Sequence, residues 1–543
     1  MIASWKFWIK LTHPTILLLE QLSQVVREAD GLPKIQKIRV VDLPQELIYH
    51  LFAVAELQEA RCLASTCKAS KRIGTSPYLY RTRSLILRFG DDYRPQLDQG
   101  VPEFLDKIAT ETSQAFISLT QFLASRPEIT HLIQTLRMID RWQSEGGSLV
   151  PSFLPYVYEK AFYDSIHVSI TPFLSSCLSL TDLTICRFII SGEWFGAISQ
   201  LANLHTIHFL YICIEDEFVE HDILYGIIPS CPHVLNVDWT ELGQLKGDPP
   251  SRESTGDGLW YTLLLFPNLK TFNRTTRMYN QLGATWLPSS DVQQMCDMFC
   301  KSLQWITSSR FRTSAACTLT HLKLRTYHPV PDHLALPLLD ALGSAPLVVL
   351  VLEGLQQGSL TLLERIVQLF PDLVGLTLTR EDTRMQREQL TTRITAAVWP
   401  HQSGEYASRF QGFRRLRYFG WNFSSEGFDY RYSPATLEVL ESSALAERAG
   451  YESELQRGEE DDFREDDWSV ARVFGCYCPS LEVVMFEGQP TEPYLMSRGT
   501  RYVGDVIAYC RQMGSGREWN PDSVFHQGWK TVDSNEDLVE VVL

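Results

Sequence analysis

The residues that could do chemistry are dispersed along the chain. Twelve cysteines occur, and the close pairs are Cys296/Cys300 and Cys476/Cys478. Neither pair has the two-residue gap of a Cys-x-x-Cys metal or redox site. Cys476 and Cys478 flank Tyr477 just ahead of Pro479 and read as core thiols. His205 and His208 stand three apart in an alternating apolar run, so their side chains leave opposite faces of a strand and cannot share a metal. Gly514-Ser515-Gly516 lacks the Gly-x-Ser-x-Gly spacing that raises a nucleophile on a strand-to-helix elbow. No HExxH, no Gly-rich loop before Lys-Ser/Thr and no strand-linked GxGxxG is present. Acidic residues are plentiful, but none sits among the His, Ser or Lys partners that acid–base catalysis requires. The sequence therefore assigns no catalytic residue, no metal ligand and no cofactor, and it reads as a non-catalytic protein. An enzyme on a large α/β fold would need a concave pocket with coupled titratable groups.

The elements that must position any functional surface are more legible. A pattern Leu-x-x-Leu-x-Leu starts at Leu180, Leu204, Val234, Leu319 and Leu347, with a poorer copy at Leu416. Three more copies follow a proline: Phe266-Pro267-Asn268-Leu269, Phe370-Pro371-Asp372-Leu373 and Cys478-Pro479-Ser480-Leu481. Ser84–Leu87 and Ile129–Met138 read as earlier strands of the same kind. Between copies lie helical stretches such as 360–370, with Leu362, Leu363, Ile366 and Leu369 on one side. The spacings Leu180 to Leu204, Leu204 to Val234, Leu319 to Leu347 and Leu347 to Leu373 are 24, 30, 28 and 26 residues. This texture resembles leucine-rich repeats, one strand and one helix per unit, with irregular periods that imply insertions. The Asn of the strict repeat consensus is missing at most copies.

Within each copy the last two apolar positions point to the core, so the residue between them faces the other side of the strand. Stacking would bring those residues into one lane on the inner surface of the array. The lane is Thr184, His208, Asp238, Asn273, Lys323, Val351, Thr377, Gly420 and Met485. Its mixed charge and modest size suit a wet, specific protein interface, so Thr184, His208, Asp238, Asn273, Lys323, Thr377 and Met485 are the candidate substrate-binding residues.

Composition bounds the rest. The chain has 543 residues, a formal net charge of −16, 44% apolar and 11% aromatic residues, which suits a folded protein. The acidic balance argues against nucleic acid as a partner, because no cationic field displaces counterions from phosphates. Apolar runs fall short of the ~20 residues that a membrane helix needs, and Lys6, Lys10 and His13 interrupt any secretory signal. Scattered cysteines fit a reducing compartment, so cytoplasm and/or nucleus is expected.

Residues 41–81 form the most specific stretch. Pro44 stands just inside a helix start and Glu46 in its first turn, with Leu47, Ile48, Leu51 and Phe52 on one apolar face. A second short helix is expected from Gln58 to Lys71, and about forty residues of short helix cannot bury such a face alone. Leu43-Pro44-Gln45-Glu46-Leu47-Ile48, then Leu51-Phe52, Cys67-Lys68 and the ending Tyr78-Leu79-Tyr80-Arg81 resemble a fungal-type F-box. Ala60 and Ser70 stand where that family usually has Leu and Trp.

The resemblance implies a substrate receptor of a Skp-cullin-F-box ubiquitin ligase, with a Skp-family adaptor bound at Leu43, Pro44, Leu47, Ile48 and Leu51. The cullin core would be recruited through the adaptor, and a protein substrate of unknown identity would sit on the repeats. A scaffold that uses the same repeats without ubiquitin transfer is the alternative.

The expected organisation is α/β: a small helical F-box followed by an irregular leucine-rich-repeat-like solenoid. Residues 1–38 form an extension whose 16–27 segment is an amphipathic helix. Residues 39–82 are the F-box, 83–490 the repeat region and 491–543 a C-terminal tail. The Gly/Pro/Ser-rich stretch 243–258 reads as an exposed loop. Residues 452–467, with nine acidic residues against two Arg, read as a solvated insertion.

Overall fold

The computed structural model describes residue 64 and residues 78–88, 102–142, 160–214, 230–242, 262–277, 300, 317–380, 397–423, 473–481 and 483–486. The F-box-like segment apart from Ala64 and Tyr78–Arg81, the acidic stretch 452–467, the loop 243–258 and both terminal regions lie outside the described residues.

Eleven strands form one open sheet in which each pairs in parallel with its predecessor. They are β1 (Thr82–Leu87), β2 (Thr135–Asp140), β3 (Asp182–Cys186), β5 (Thr206–Leu210), β7 (Asn236–Leu242), β8 (Thr271–Arg277), β9 (His321–Val330), β10 (Val349–Leu355), β11 (Gly375–Arg380), β12 (Tyr418–Trp421) and β13 (Val483–Phe486). The short β4 (Ile189–Ile190) and β6 (Cys213–Ile214) pair separately, also in parallel. Strands that follow one another in parallel need a crossover each time. Among the described residues α2 (Pro102–Ala124), α4 (Lys160–Ser176), α5 (Gly192–Ser199), α6 (Asp332–Leu342), α7 (Leu360–Leu369) and α8 (Ser403–Arg409) lie between strands. The chain is therefore α/β.

Every proline-marked copy of the sequence pattern is a strand, and the turn before it explains why. The N–H of Leu269 donates to Phe266 O at 3.2 Å, Leu373 to Phe370 at 3.2 Å and Leu481 to Cys478 at 3.0 Å. Leu180, Leu204 and Val234 close the same turn on Cys177, Leu201 and Cys231. Both ends of each turn are buried, and where proline follows the first residue it presets the φ that the turn needs. One carbonyl then accepts two successive N–H groups from the next copy. Gln134 O takes Thr181 N and Asp182 N at 2.8 and 3.0 Å, and Thr181 O takes His205 N and Thr206 N at 2.9 and 3.1 Å. The device repeats through Val374 O, which accepts from Arg417 and Tyr418. It fixes the register from strand to strand without any side chain, so sequence variation is tolerated.

The register puts two apolar rows on the core side, among them Leu183, Ile207, Val237, Phe272, Leu322, Leu350 and Leu376 in one and Ile185, Phe209, Trp239, Leu324 and Leu352 in the other. These join the inner faces of the helices in one core. Each large apolar side chain buried this way is worth about 1.5–3 kcal/mol. Arg274 is a charged exception in the second row, 6% exposed between Trp239 and Leu324.

Two local features differ from the sequence expectations, and a third lies outside them. Ile129–Gln134 is not strand: Pro127 opens the short helix α3 (Pro127–Thr130) and a turn follows, so β2 starts only at Thr135. α1 (Tyr78–Arg81) runs directly into β1 at Thr82, so the repeat-like sheet begins at the last residue of the expected F-box. Arg187 and Tyr211, which follow β3 and β5, adopt φ of 63° and 57°. For residues with a Cβ this costs roughly 1–2 kcal/mol. It is offset by the N–H bonds to Leu210 O at 2.8 Å and Thr240 O at 2.6 Å, and the kinks turn the chain into β4 and β6.

Candidate interaction surface

The face of the sheet away from the helices carries the lane read from the sequence. Thr184 pairs in register with His208, His208 with Asp238, Asp238 with Asn273 and Asn273 with Lys323. The row continues through Val351, Thr377 and Gly420 to Met485. Toward the first strand it extends to Arg137 and Ser84, which sequence reasoning did not include. All nine lane positions thus fall on one row.

The row divides by exposure. Thr184, His208 and Asp238 are partly open, and Arg137 is exposed. Asn273, Lys323, Val351 and Thr377 are buried, at 4, 6, 3 and 3%. The expectation of a wet lane along its whole length is corrected for this half. β10 shows this in full, since all seven of its residues are buried, on both faces. At β12 the lane is closed by Thr377, whose Oγ1 lies 2.8 Å from where a Cβ on Gly420 would stand.

A hydrogen-bonded chain of polar groups runs from the open half into the buried half. His208 Nδ1 lies 3.3 Å from Asp238 Oδ2, while the Asn273 amide donates to Asp238 Oδ1 at 2.9 Å. Thr275 Oγ donates to Asn273 Oδ1 at 3.4 Å, which brings in the next position of β8 on the same face. Asp238 is thereby held from both sides. Such a fixed carboxylate recognises donors at little ordering cost.

The buried half holds its own charge cluster. Lys323 Nζ lies 3.4 Å from Glu353 Oε1, and Arg325 Nε lies 3.5 Å from Glu353 Oε2, with Glu353 5% exposed. Sequence reasoning missed Arg325 and Glu353. Each stands two residues beyond a lane position, and the period-two rule alone would have put them on this face. Nearer the first strand the corresponding row is apolar: Ile139, Cys186 and Leu210 pack together with Ile86 and Tyr211.

Among the described residues no group of three or more His, Cys, Asp and Glu could hold a metal ion. Burial pushes the Cys177 and Cys231 thiols up to about 12 and the Cys186 thiol to about 11, so they are protonated and poor nucleophiles at neutral pH. Cys476 and Cys478 are buried, as the sequence suggested. His205 lies just before β5 and His208 within it. An open groove of about 460 Å³ lies between α6 and α7, lined by Leu336, Asp340, Thr361, Glu364, Arg365 and Gln368. Arg365 crosses it to Asp340 at 2.6 Å. No helix among the described residues is long and apolar enough to cross a membrane.

The adaptor-binding residues expected from the sequence, Leu43, Pro44, Leu47, Ile48 and Leu51, lie outside the described residues. No protein-family model matches the sequence, and no curated protein matches it.

Proposed function

We propose that this chain is the substrate receptor of a Skp-cullin-F-box ubiquitin ligase, its sheet being a degenerate leucine-rich-repeat-like solenoid. Leu43, Pro44, Leu47, Ile48 and Leu51 would meet a Skp-family adaptor, and the open half of the lane would hold a protein substrate. The receptor breaks no bond itself. It raises the effective concentration of substrate lysines near the charged conjugating enzyme. Neither a nucleic acid nor a membrane is part of this reading, and the setting is cytoplasmic and/or nuclear. The observation that carries it is a juxtaposition: an F-box-like segment ends at Arg81, and the first strand of a sheet with one in-register polar row begins at Thr82.

The test is direct binding of the purified full chain to a Skp-family adaptor. Leu47→Asp with Leu51→Asp should abolish binding and leave the β-sheet circular dichroism unchanged. Binding that survives both changes removes the F-box reading. The departures at Ala60 and Ser70 favour a second reading, in which the same surface serves a scaffold that recruits no ligase. A wild-type chain that binds no adaptor would select it.

A further inference from the structure

The open half of the lane is one of two parallel rows that face away from the helices. Beside Arg137, Thr184, His208 and Asp238 run Thr135, Asp182, Thr206 and Asn236, two positions earlier on the same strands and likewise in register. All four of these are partly open. Two positions later the surface closes: Ile139, Cys186, Leu210 and Thr240 are 7, 2, 6 and 8% exposed. At about 3.3 Å per residue the two open rows stand roughly 7 Å apart. One extended chain laid across the strands fits that strip, whereas a helix with its side chains is about 10–12 Å wide and would overrun it. A chain lying across the strands uses no strand edge, so recognition falls to side chains.

The lane row of this strip carries one permanent charge of each sign. Arg137, on β2, is exposed, and no ion pair holds it among the described residues. Asp182, in the neighbouring row, instead accepts from the Thr181 hydroxyl at 2.6 Å. Asp238, on β7, has a side chain 16% exposed, with one oxygen on the Asn273 amide and the other facing His208. A carboxylate has roughly four acceptor sites, so two remain for a ligand. β2 and β7 are three steps apart, through β3 and β5. At about 4.8 Å per step the two positions lie roughly 14 Å from each other. In an extended chain every second side chain leaves the same face, and roughly 14 Å is covered in four residues. The residue midway would sit over Thr184 and His208, which offer a hydroxyl and a ring nitrogen rather than an apolar seat.

We infer that the segment held on the open half is an extended, polar stretch of protein with an acidic and a basic residue four apart, the acid on Arg137 and the base on Asp238. This rests on the reading of the open half as the substrate surface and does not depend on how the adaptor binds. Because no backbone pairing is involved, either chain direction satisfies the pair, and the site reads sign and spacing. Two like charges four apart would set one of them against its own kind. An acid and a base three apart would leave opposite faces of the extended segment, so only one could reach the sheet.

The test uses the purified full chain and short fluorescein-labelled peptides of Ser and Thr that carry Glu and Lys four apart, Glu and Lys three apart, two Lys four apart, or two Glu four apart. Fluorescence anisotropy is read at low ionic strength, where exposed charges are least screened. The peptide with Glu and Lys four apart should bind about tenfold more tightly than the other three. Arg137→Glu should move the preference to the peptide with two Lys, a gain that simple damage to the fold would not produce. Arg137→Gln, a neutral second variant, should bind these two peptides about equally. Circular dichroism checks that each variant is folded. Equal affinities across the set, no binding by any peptide, or an unchanged preference in Arg137→Glu overturns the inference. Adaptor capture is measured on the same preparations. Capture without peptide selection removes this inference and leaves the receptor reading standing, whereas selection without capture keeps the inference and removes the ligase.

Discussion

Replacing Asn422 by alanine should destabilise the folded chain by about 2–4 kcal/mol. Asn422 follows β12 and is 0% exposed. Its Oδ1 accepts from the Arg380 backbone N–H at 2.8 Å and from the Trp399 indole N–H at 3.3 Å, and its Nδ2 donates to Arg380 O. One side chain thus takes the place of a neighbouring strand for the last residue of β11. Alanine leaves three polar groups without these partners, at roughly 1–3 kcal/mol for each one kept from water. Arg380 is only partly buried, so water recovers some of that loss; Trp399 lies in the core and recovers none. Urea denaturation followed by circular dichroism reads the change as a lower midpoint at an unchanged slope. Asn422→Asp sharpens the test, because a carboxylate accepts but cannot donate to Arg380 O. Burial would raise its folded-state pKa above the unfolded value, so its penalty is full at neutral pH and is relieved as pH falls through the raised value. An alanine variant within about 0.5 kcal/mol of wild type would refute this reasoning, since that is the range of inert surface substitutions.

Gly358 has φ of +65°, and a Cβ there would stand 2.5 Å from Trp399. Gly358→Ala should cost about 1–3 kcal/mol in the same assay, whereas Gly196→Ala, in α5 with nothing within 4 Å, should be neutral or slightly stabilising. A buried histidine supplies a pH test. Desolvation holds the His167 pKa below its ordinary value, opposed by Asp164 and the Ile189 backbone. A depressed histidine contributes stability above its unfolded pKa of about 6.5 that is lost as pH falls below it. His167→Phe, which can keep the ring packing on Trp194 at 5.2 Å, should therefore flatten the loss of stability between about pH 7 and 5. An equal loss in both proteins would show that His167 does not set it.

Much of the sheet was legible because each strand carries its own pattern. Leu183 and Ile185 flank Thr184, Ile207 and Phe209 flank His208, and the period of two fixes which residues share a face. Register was legible for the same reason, since the turn that precedes each strand repeats. Exposure was not. Lys323 and Asp238 look alike in sequence as lane residues, yet Lys323 is buried against Glu353 and Asp238 stays partly open. The period of two separates the faces of a strand but carries no information on how far a face is exposed. Asn422 was missed because a single buried amide that mimics strand pairing leaves no periodic trace. The consequence is practical. A double change at Asp238 and Lys323 would disturb the buried charge cluster, whereas His208 and Asp238 are both partly open and their loss removes one acceptor of the buried Asn273 amide at most.

Affinity purification of the full chain with quantitative mass spectrometry tests the receptor account most directly, using wild type, Leu47→Asp with Leu51→Asp, and His208→Ala with Asp238→Ala. The expected result is two separable losses. The Skp-family adaptor and cullin disappear with the first pair of changes and stay with the second, while at least one other protein disappears with the second and stays with the first. A wild-type chain that retains no adaptor, or one whose captured proteins are the same in all three, would contradict it.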